Sequence, residues 1–508
     1  MASMELDPDA CYRAMSTRDA RFDGRLFVAV KTTGIYCRPI CPARTPKRES
    51  VQFYATAAAA QEAGFRPCLR CRPDCSPELA SWRGTSNTVQ RALALIEQGA
   101  LDGGDVESLA ERLGVGGRQL RRLFAQHLGA SPNAVALTRR VLLAKQLLHD
   151  TQLPMTMVAS AAGFGSLRRF NETFLQLYQR PPSALRKKRG EPARGGDAIS
   201  LCLSYVPPYD FAALLGFLAA RAIPGVELVS ADSYARSITI GDECGTLQVR
   251  PSASGHARLD LTVSFSRLSA LPAILGRVRR VFDLGADPIA IAEQLRQDPT
   301  LAPLIDAHPG LRVPGAWDGF ELAVRAVLGQ QITVAAATKL CGTLVSLFGA
   351  PLAPGVSVVP GLTHLFPTPA RLAEADLSIL PMPRARSAAL CSLARAVVHD
   401  PSTLAPQASL DEAVRKLRAL PGIGEWTAQY IAMRALREPD AFPAADVALQ
   451  RALAAADGTR PTTRQLLAQS ARWSPWRAYA ALHLWASLTT ARALDKHLSS
   501  RRRRSRAA

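Results

Sequence analysis

The chain contains 508 residues, which at roughly 150 residues per domain predicts about three or four domains and excludes a single small module. Its 62 Lys and Arg outnumber its 42 Asp and Glu, giving a net charge of +20, and 48% of its residues are hydrophobic. This composition is globular, and the positive charge favours a polyanion such as nucleic acid as the partner. No apolar run reaches about 18 residues and no signal-peptide pattern opens the sequence, so we expect a cytoplasmic protein that does not bind membranes.

Two close pairs of cysteines lie in the first segment of the chain, residues 1–82. Three residues separate Cys37 from Cys41, and two separate Cys68 from Cys71. Each short loop allows two sulfurs to meet one ion, so the pattern predicts a tetrahedral all-cysteine zinc site in a small domain with little core. No histidine lies within this segment, so the four cysteines would supply every ligand of one Zn²⁺. The alternative is a set of buried free thiols.

The cysteine-bearing stretches also suggest reactivity, because four thiolates on one divalent ion keep a net charge of about −2 and stay nucleophilic. Residues 34–41, GIYCRPIC, and 64–71, GFRPCLRC, closely resemble the amino-terminal domain of Ada-type adaptive-response proteins. The resemblance implies that Cys37 takes a methyl group irreversibly from a methylphosphotriester in DNA. Loss of one negative charge would then weaken repulsion from phosphate and strengthen DNA binding. A purely structural zinc site has the same ligands and is the alternative. Nearby cations that suit phosphate contact include Arg38, Arg44, Arg66 and Arg70.

Residues 83–190 carry a helical pattern that occurs twice. The first copy pairs a short amphipathic helix over 106–115 with a second helix that directs its apolar residues inward, and the second copy covers 158–183. Repetition favours two helix-turn-helix units over ordinary core packing. The pattern over about 87–188 resembles the DNA-binding domain of AraC-type regulators, which implies recognition helices in two adjacent major grooves. The outward side chains expected to contact DNA are Arg118, Gln119, Arg122, Arg168 and Arg169.

A basic linker with Pro and Gly separates this segment from a predicted antiparallel α+β domain at 198–310. Residues 257–265 alternate apolar and polar side chains as a half-buried strand does. Residues 237–240 and 246–249 flank a turn-forming segment and predict a hairpin, while 209–222 predicts an amphipathic helix.

The segment from 311 to 495 is helical in its spacing and is followed by a basic tail, 496–508, that we expect to be disordered. Within it, the sequence LPGIG at 420–424 lies between two helical stretches. Gly422 and Gly424 allow a tight turn whose backbone N–H groups form a small anion nest. Such a turn is typical of a helix-hairpin-helix that holds a DNA phosphate.

Asp446 begins a predicted helix about twenty residues after that turn. In isolation, an Asp in this position is most simply an N-cap. Together with the turn, it strongly resembles the helix-hairpin-helix glycosylase superfamily, and residues 205–485 resemble alkylbase glycosylases of the AlkA type. The resemblance implies that Asp446 is the catalytic aspartate and that Trp426, Tyr430 and Trp485 line the pocket for a flipped base.

The expected chemistry is release of an alkylated base. Alkylated purines carry positive charge, so aromatic faces attract them, and a carboxylate that stabilises the oxocarbenium-like sugar and guides water suffices to remove them. Trp426 stands where strand-cleaving relatives carry a lysine, which predicts a monofunctional glycosylase. No cysteine follows Cys391, so we expect no iron–sulfur cluster. Gln331 aligns with the leucine wedge of the family, so the wedge is Gln331 or Ile332. Val447 replaces an aromatic residue beside the catalytic acid.

The sequence therefore predicts a multidomain, mainly α protein that combines a zinc domain, two helix-turn-helix units, an antiparallel α+β domain and an all-α helix-hairpin-helix glycosylase domain. The expected function is excision of 3-methyladenine-type bases, joined to methylphosphotriester sensing that regulates transcription, by activation or by repression. The expected partner is double-stranded DNA, both alkylated DNA and promoter sites, with RNA polymerase as a candidate second partner. The alternative function is a DNA-binding regulator whose glycosylase-like module is inactive.

Overall fold

The structure of the protein is a computed structural model that describes residues 7–19, 22–71, 73, 87–186, 198–253, 257–353, 355–356, 359–407, 409–455 and 457–488. The predicted linker and basic tail lie outside these residues. Within the described part of the chain, no helix is long and apolar enough to span a bilayer.

The amino-terminal unit is a small four-stranded sheet with two helices and two separate small apolar clusters. Its elements are α1 (Pro8–Ser16), β1 (Phe27–Val30), β2 (Ile35–Cys37), β3 (Val51–Tyr54), α2 (Ala57–Glu62) and β4 (Arg66–Pro67). The strand order is β3, β1, β2, β4, and β4 pairs in parallel with β2, placing Tyr36 beside Pro67. Because the chain leaves these two neighbouring strands in the same direction, the turns that follow them begin side by side.

Six helices follow, and they form two similar units. They are α3 (Asn87–Glu97), α4 (Val106–Arg112), α5 (Gly117–Leu128), α6 (Pro132–Asp150), α7 (Met155–Ala161) and α8 (Leu167–Tyr178). Helices α5 and α8 are both 12 residues long, and each buries its fourth, eighth and twelfth residue. The buried residues are Leu120, Phe124 and Leu128 in α5 and Phe170, Phe174 and Tyr178 in α8. The predicted helix-turn-helix repetition is therefore present.

An antiparallel five-stranded sheet with four helices comes next, with strand order β5, β9, β8, β7, β6. Its elements are β5 (Ile199–Ser204), α9 (Phe211–Ala219), β6 (Glu227–Val229), β7 (Tyr234–Ile240), β8 (Glu243–Pro251), β9 (Arg258–Phe265), α10 (Leu271–Val281), α11 (Pro288–Leu295) and α12 (Ala302–Ala307). Strand β9 alternates buried and half-buried residues as predicted. The hairpin turn is tighter than predicted, because residues 243–245 pair with 238–240 and leave two residues in the turn.

The remaining described elements are helical. They are α13 (Gly319–Leu328), α14 (Val334–Phe348), α15 (Pro369–Glu374), α16 (Arg384–His399), α17 (Leu410–Arg418), α18 (Glu425–Arg434), α19 (Val447–Ala452) and α20 (Thr463–Ser470). Residues 477–488 are helical as well. These elements enclose the largest hydrophobic cluster of the described residues, and the predicted multidomain, mainly α architecture is confirmed.

Helix α6 contacts the units on both of its sides. The fully buried Lys145 donates from Nζ to the carbonyl oxygen of Cys68 across 2.8 Å. The next residue, Gln146, donates from Nε2 to the carbonyl oxygen of Cys202 in β5, also across 2.8 Å. A single hydrophobic cluster runs from Phe174 in α8 to Leu261 in β9. The second helix-turn-helix unit and the five-stranded sheet are therefore packed together.

Candidate metal centre, recognition helices and base-binding site

Four cysteine sulfurs converge at the end of the small sheet. Cys37 ends β2 and Cys68 follows β4, and the sulfurs of Cys37, Cys41, Cys68 and Cys71 all lie within 4.8 Å of one another. This spacing and the four soft sulfur donors fit a tetrahedral Zn²⁺ site. The predicted four-cysteine metal centre is confirmed.

The four sulfurs differ in burial and in their hydrogen bonds. Cys68 and Cys71 are buried, and they accept backbone N–H bonds from Arg70 and Arg38, each at 3.3 Å. Such bonds stabilise negative charge on sulfur and lower its nucleophilicity. Cys37 is only half-buried, and no backbone N–H of the described residues donates to it.

Arg38 does not serve as the phosphate-contacting cation that the sequence indicated. It is buried, with 5% of its surface exposed, and its Nε donates to Asp23 Oδ1 at 2.8 Å. Its Nη1 also donates to the carbonyl oxygen of Cys71 at 3.3 Å. The guanidinium therefore bonds to the metal-binding loop at Cys71, and the carboxylate of Asp23 balances its buried charge.

Lys145 is a second residue near the cysteines, and the sequence analysis missed it. It lies in the apolar run VLLAKQLL of residues 141–148 and has no exposed surface. A lysine within such a run is the one sequence feature that could have marked it, because lysine is seldom fully buried without a partner.

The outward faces of α5 and α8 carry the predicted DNA-binding side chains. Arg118, Gln119 and Arg122 are exposed on α5, and Arg168 and Arg169 are exposed on α8. Arg168 donates to Glu172 of the same helix at 2.8 Å. Arg121, beside the predicted set, donates to Glu107 of α4 at 2.5 Å and so braces the unit.

The glycine-rich turn connects α17 to α18. Gly422 has φ +78°, and a Cβ at this position would lie 2.4 Å from Cβ of Ala389 in α16, so the turn requires glycine. Gly424 forms the N-cap of α18 and has open space around the position of a Cβ. The turn places the positive end of the α18 dipole at the protein surface, where a phosphate can approach.

Asp446 is the N-cap of α19, and its carboxylate also accepts two indole N–H groups. As the N-cap of α19, its Oδ1 accepts the backbone N–H groups of Ala448 at 2.9 Å and Leu449 at 3.0 Å. The indole of Trp426 donates to Oδ2 at 2.8 Å, and the indole of Trp485 donates to Oδ1 at 3.1 Å. Four N–H groups from three elements therefore fix the orientation of one half-buried carboxylate.

Aromatic rings surround this carboxylate, as the sequence led us to expect. The rings of Trp426 and Tyr430 are stacked, with centroids 5.2 Å apart and planes 8° from parallel. Tyr430 and Trp485 lie 6.4 Å apart at 59°. Trp473 is instead buried in the core, where it donates to Asp298 at 2.6 Å.

Two arginines reach the hydroxyl of Tyr430, and the sequence analysis did not identify them. Arg434 Nη1 donates to the hydroxyl at 2.8 Å while its Nε donates to the carbonyl oxygen of Pro314. Burial raises the pKa of Tyr430, but the cations Arg434 and Arg221 outweigh that effect and bring the pKa below its usual value. The hydroxyl of Tyr430 is therefore held in place while one face of its ring stacks on Trp426.

The connection between α13 and α14 lies on the surface. Gln331 has φ +57° and is exposed, and Ile332 has 38% of its surface exposed. Both candidate wedge residues are therefore free of the core. Val447 is also exposed, at 58%, and contributes no ring beside Asp446.

Four family models match successive parts of the chain. They are described as the metal binding domain of Ada at residues 10–74, a helix-turn-helix domain at 109–188, the AlkA N-terminal domain at 200–318, and the HhH-GPD superfamily of base excision DNA repair proteins at 324–478.

Three similar proteins cover the whole chain or its parts. The chain is 42% identical over 489 residues to a probable bifunctional transcriptional activator/DNA repair enzyme AlkA of Mycobacterium tuberculosis, covering 96% of this chain and 97% of that protein. It is 37% identical over 286 residues to DNA-3-methyladenine glycosylase 2 of Escherichia coli, covering 56% of this chain and 95% of that protein. It is 38% identical over 129 residues to the bifunctional transcriptional activator/DNA repair enzyme Ada of Escherichia coli, covering 25% and 35% respectively.

Proposed function

Because the chain belongs to the family of bifunctional transcriptional activator/DNA repair enzyme AlkA proteins, we propose that it couples excision of alkylated bases from DNA to methyl-dependent control of transcription. Its carboxy-terminal half is a DNA glycosylase of the AlkA type. The finer assignments below, which concern individual residues and the methyl-accepting step, are part of the proposal.

One observation carries the glycosylase assignment: two indole N–H groups and two backbone N–H groups orient the carboxylate of Asp446 beside stacked aromatic rings. A flipped base packs against the aromatic cluster of Trp426, Tyr430 and Trp485, and a cationic alkylated purine gains most from the π-faces of that cluster. The carboxylate of Asp446 then stabilises the positive charge that develops on the sugar and orients the attacking water. Water adds to the anomeric carbon and loses a proton to the carboxylate of Asp446, while the glycosidic bond breaks and its electron pair leaves on the cationic base, which departs as a neutral molecule.

The DNA contacts follow from the same geometry. The turn at Gly422 and Gly424 holds a backbone phosphate, and Gln331 or Ile332 fills the space left by the base. The exposed residues of α5 and α8 read the promoter through two major grooves, and RNA polymerase is the second partner that activation requires.

The cysteine centre supplies the sensing step. Cys37, Cys41, Cys68 and Cys71 would hold Zn²⁺, which when bound would keep their sulfurs as thiolates. Cys37 and Cys41 are both half-buried and, unlike Cys68 and Cys71, are not bonded by the N–H groups of Arg70 and Arg38; of these two, we assign Cys37 as the acceptor because the resemblance to Ada-type domains implies it. Its sulfur attacks the methyl carbon of a methylphosphotriester; the new S–C bond forms as the C–O bond breaks, and the electron pair leaves on the phosphate oxygen.

Release of free 3-methyladenine from alkylated duplex DNA tests the glycosylase. We expect Asp446→Asn to lower the single-turnover rate by at least about 100-fold because the negative charge is lost. Its Oδ1 can still cap α19, but its NH2 group replaces the oxygen that accepts the Trp426 indole, so we also expect a loss of stability of about 1–2 kcal/mol, which urea unfolding measures. Asp318→Asn is the matched control, since Asp318 Oδ1 caps α13 with the same two backbone bonds, to Phe320 and Glu321. Wild-type levels of release by Asp446→Asn, or equal losses in both variants, would refute the role of Asp446.

Mass spectrometry tests the sensor. After incubation with methylphosphotriester DNA, we expect one added methyl group, located on Cys37 and absent from Cys37→Ala. Cys202→Ser is the control because Cys202 lies in β5, outside the cysteine cluster. An unmodified Cys37 in a protein that releases 3-methyladenine would leave the cysteine centre with a structural role and the glycosylase assignment unaffected.

A further inference from the structure

We infer that Gln330 is a positioning residue for base flipping, because it ties the loop that carries the wedge to the turn that holds DNA phosphate. We call residues 330–333, between α13 and α14, the wedge loop. The inference rests on the proposed glycosylase function and adds to it a residue whose side chain need not touch DNA.

The backbone of the wedge loop needs external support. Helix α13 ends at Leu328, and Thr333 is the N-cap of α14, so only a few residues make the connection. Gln331 adopts the left-handed region with φ +57°, which is unfavourable for a residue with a side chain. Such a conformation persists when surrounding contacts over-determine it.

The side chain of Gln330 provides one of these contacts. Its Nε2 donates to the carbonyl oxygen of Gly422 at 2.9 Å and to Oγ1 of Thr427 at 3.0 Å. Both N–H bonds of the amide are therefore used across a gap of more than ninety residues in sequence. Gly422 lies in the phosphate-holding turn, and Thr427 follows Trp426, the residue that donates to Asp446.

The backbone of Gln330 provides another contact. Arg386 of α16 donates from Nη2 to its carbonyl oxygen at 2.6 Å. The same helix carries Ala389, against which Gly422 packs without space for a Cβ. Helix α16 thus fixes both the phosphate-holding turn and the wedge loop.

The contacts of Gln330 and Arg386 fix the distance between the bound phosphate at the glycine-rich turn and the wedge residue in the wedge loop. Extrusion of a base requires both contacts at once, and it costs a few kcal/mol for a paired base and less for a mispaired one. A displacement of about 1 Å in such a constellation can lower a rate about 100-fold. Loss of the Gln330 amide should therefore slow base release most when the damaged base is paired, because a paired base costs most to flip out of the helix.

The test compares Gln330→Leu with wild type on two duplexes that carry the same 3-methyladenine, opposite thymine in one and opposite a mismatched cytosine in the other. We expect the single-turnover rate to fall about 10- to 100-fold opposite thymine and no more than about threefold opposite cytosine. A merely structural role would lower both rates by the same factor.

Gln407→Leu is the matched control, because the Gln407 amide donates to the carbonyl oxygen of Ala405 at 2.7 Å, within its own loop. Thr427→Val provides a second variant that removes one acceptor of the Gln330 amide and should show the same selectivity, more weakly. Equal rates for Gln330→Leu and wild type opposite thymine, or equal losses on both duplexes, would overturn the inference. A wild-type protein that releases no base from either duplex would remove the glycosylase proposal itself, and with it the role of Gln330.

Discussion

Lys145 in α6 and Cys68 in the metal centre are joined directly: the buried ammonium donates to the cysteine's carbonyl oxygen across 2.8 Å. The lysine thus reaches from the DNA-binding helices into the loop that presents two of the four sulfurs. A cation in this position also offsets the negative charge of a zinc–tetrathiolate centre.

Replacement of Lys145 by methionine removes the donor and the charge while it preserves much of the volume. We expect Zn²⁺ affinity to fall about tenfold, because contacts that orient metal ligands typically contribute 10- to 100-fold. Competition with a chromophoric chelator measures the affinity. Lys31→Met is the control, since Lys31 is an exposed lysine of the amino-terminal unit that carries the four cysteines. An unchanged affinity in Lys145→Met would show that the contact does not support the metal centre.

The two glycines of the helix-hairpin-helix turn should respond differently to alanine. Gly422→Ala introduces a Cβ that would lie 2.4 Å from Cβ of Ala389, and the alanine would have to adopt the left-handed φ of the turn. We therefore expect this substitution to lower the free energy of unfolding by about 2 kcal/mol. Gly424→Ala meets open space at a φ of −84° and should change stability by less than about 0.5 kcal/mol. Urea unfolding measures both values, and equal losses would contradict the geometry of the turn.

Arg122 and Arg121 are neighbours on α5 with different expected roles. Arg122 is exposed and has no ion-pair partner among the described residues, whereas Arg121 donates to Glu107. We expect Arg122→Ala to weaken binding to duplex DNA and to reduce the slope of log K against log salt by about 1, as loss of one phosphate contact does. Fluorescence anisotropy at several salt concentrations measures the slope.

Arg121→Ala is the comparison on the same helix. Its loss should appear mainly as a small decrease in stability, on the order of 0.5 kcal/mol, with a smaller change of the salt slope. The reverse ranking of the two slopes would show that α5 presents a different face to DNA.

Glu438 makes stability depend on pH. Burial and the neighbouring Asp440 raise its pKa from 4.5 to about 7. Because the folded state binds the proton more tightly than the unfolded state, the favourable contribution is complete below about pH 4.5 and is lost as the pH rises through 7. We therefore expect Glu438→Gln to be more stable than wild type by about 1–2 kcal/mol at pH 8 and equal to it at pH 4.5.

Urea unfolding of both proteins at the two pH values isolates this group, since all other titrations are shared. If the two proteins differ in their free energy of unfolding by the same amount at both pH values, Glu438 is not the group that makes stability depend on pH.

The residues whose chemistry is local were predictable from sequence, whereas those defined by tertiary contact were not. The cysteine spacing predicted the metal centre, and the resemblance at the turn of Gly422 and at Asp446 led to the carboxylate that Trp426 and Trp485 contact. The apolar run around Lys145 marks it as unusual, but its partner could not be predicted because Cys68 lies 77 residues away. The backbone partners of Arg434 lie at least 119 residues away and have no local signal either. The division of the chain into domains, and the site roles, stay predictions.

For Arg38, the sequence indicated a role that the structure does not support. A sequence rich in arginine near the cysteines indicated phosphate contact, but the buried Asp23 that captures this guanidinium is fifteen residues distant and unmarked by any motif. The arginine content of this segment indicates that its surface can attract phosphate, but only the packing of the folded chain determines which arginines are exposed on that surface.

The continuous hydrophobic cluster between α8 and the five-stranded sheet has a consequence for how this polypeptide can be divided. Phe174 and Leu261 belong to one cluster, and Gln146 spans the same junction with its bond to Cys202. Cleavage of the chain between the regulator and the repair half would leave each fragment with an uncovered apolar face. Each fragment would then require polar substitutions on that face to keep it from associating with other apolar surfaces in solution.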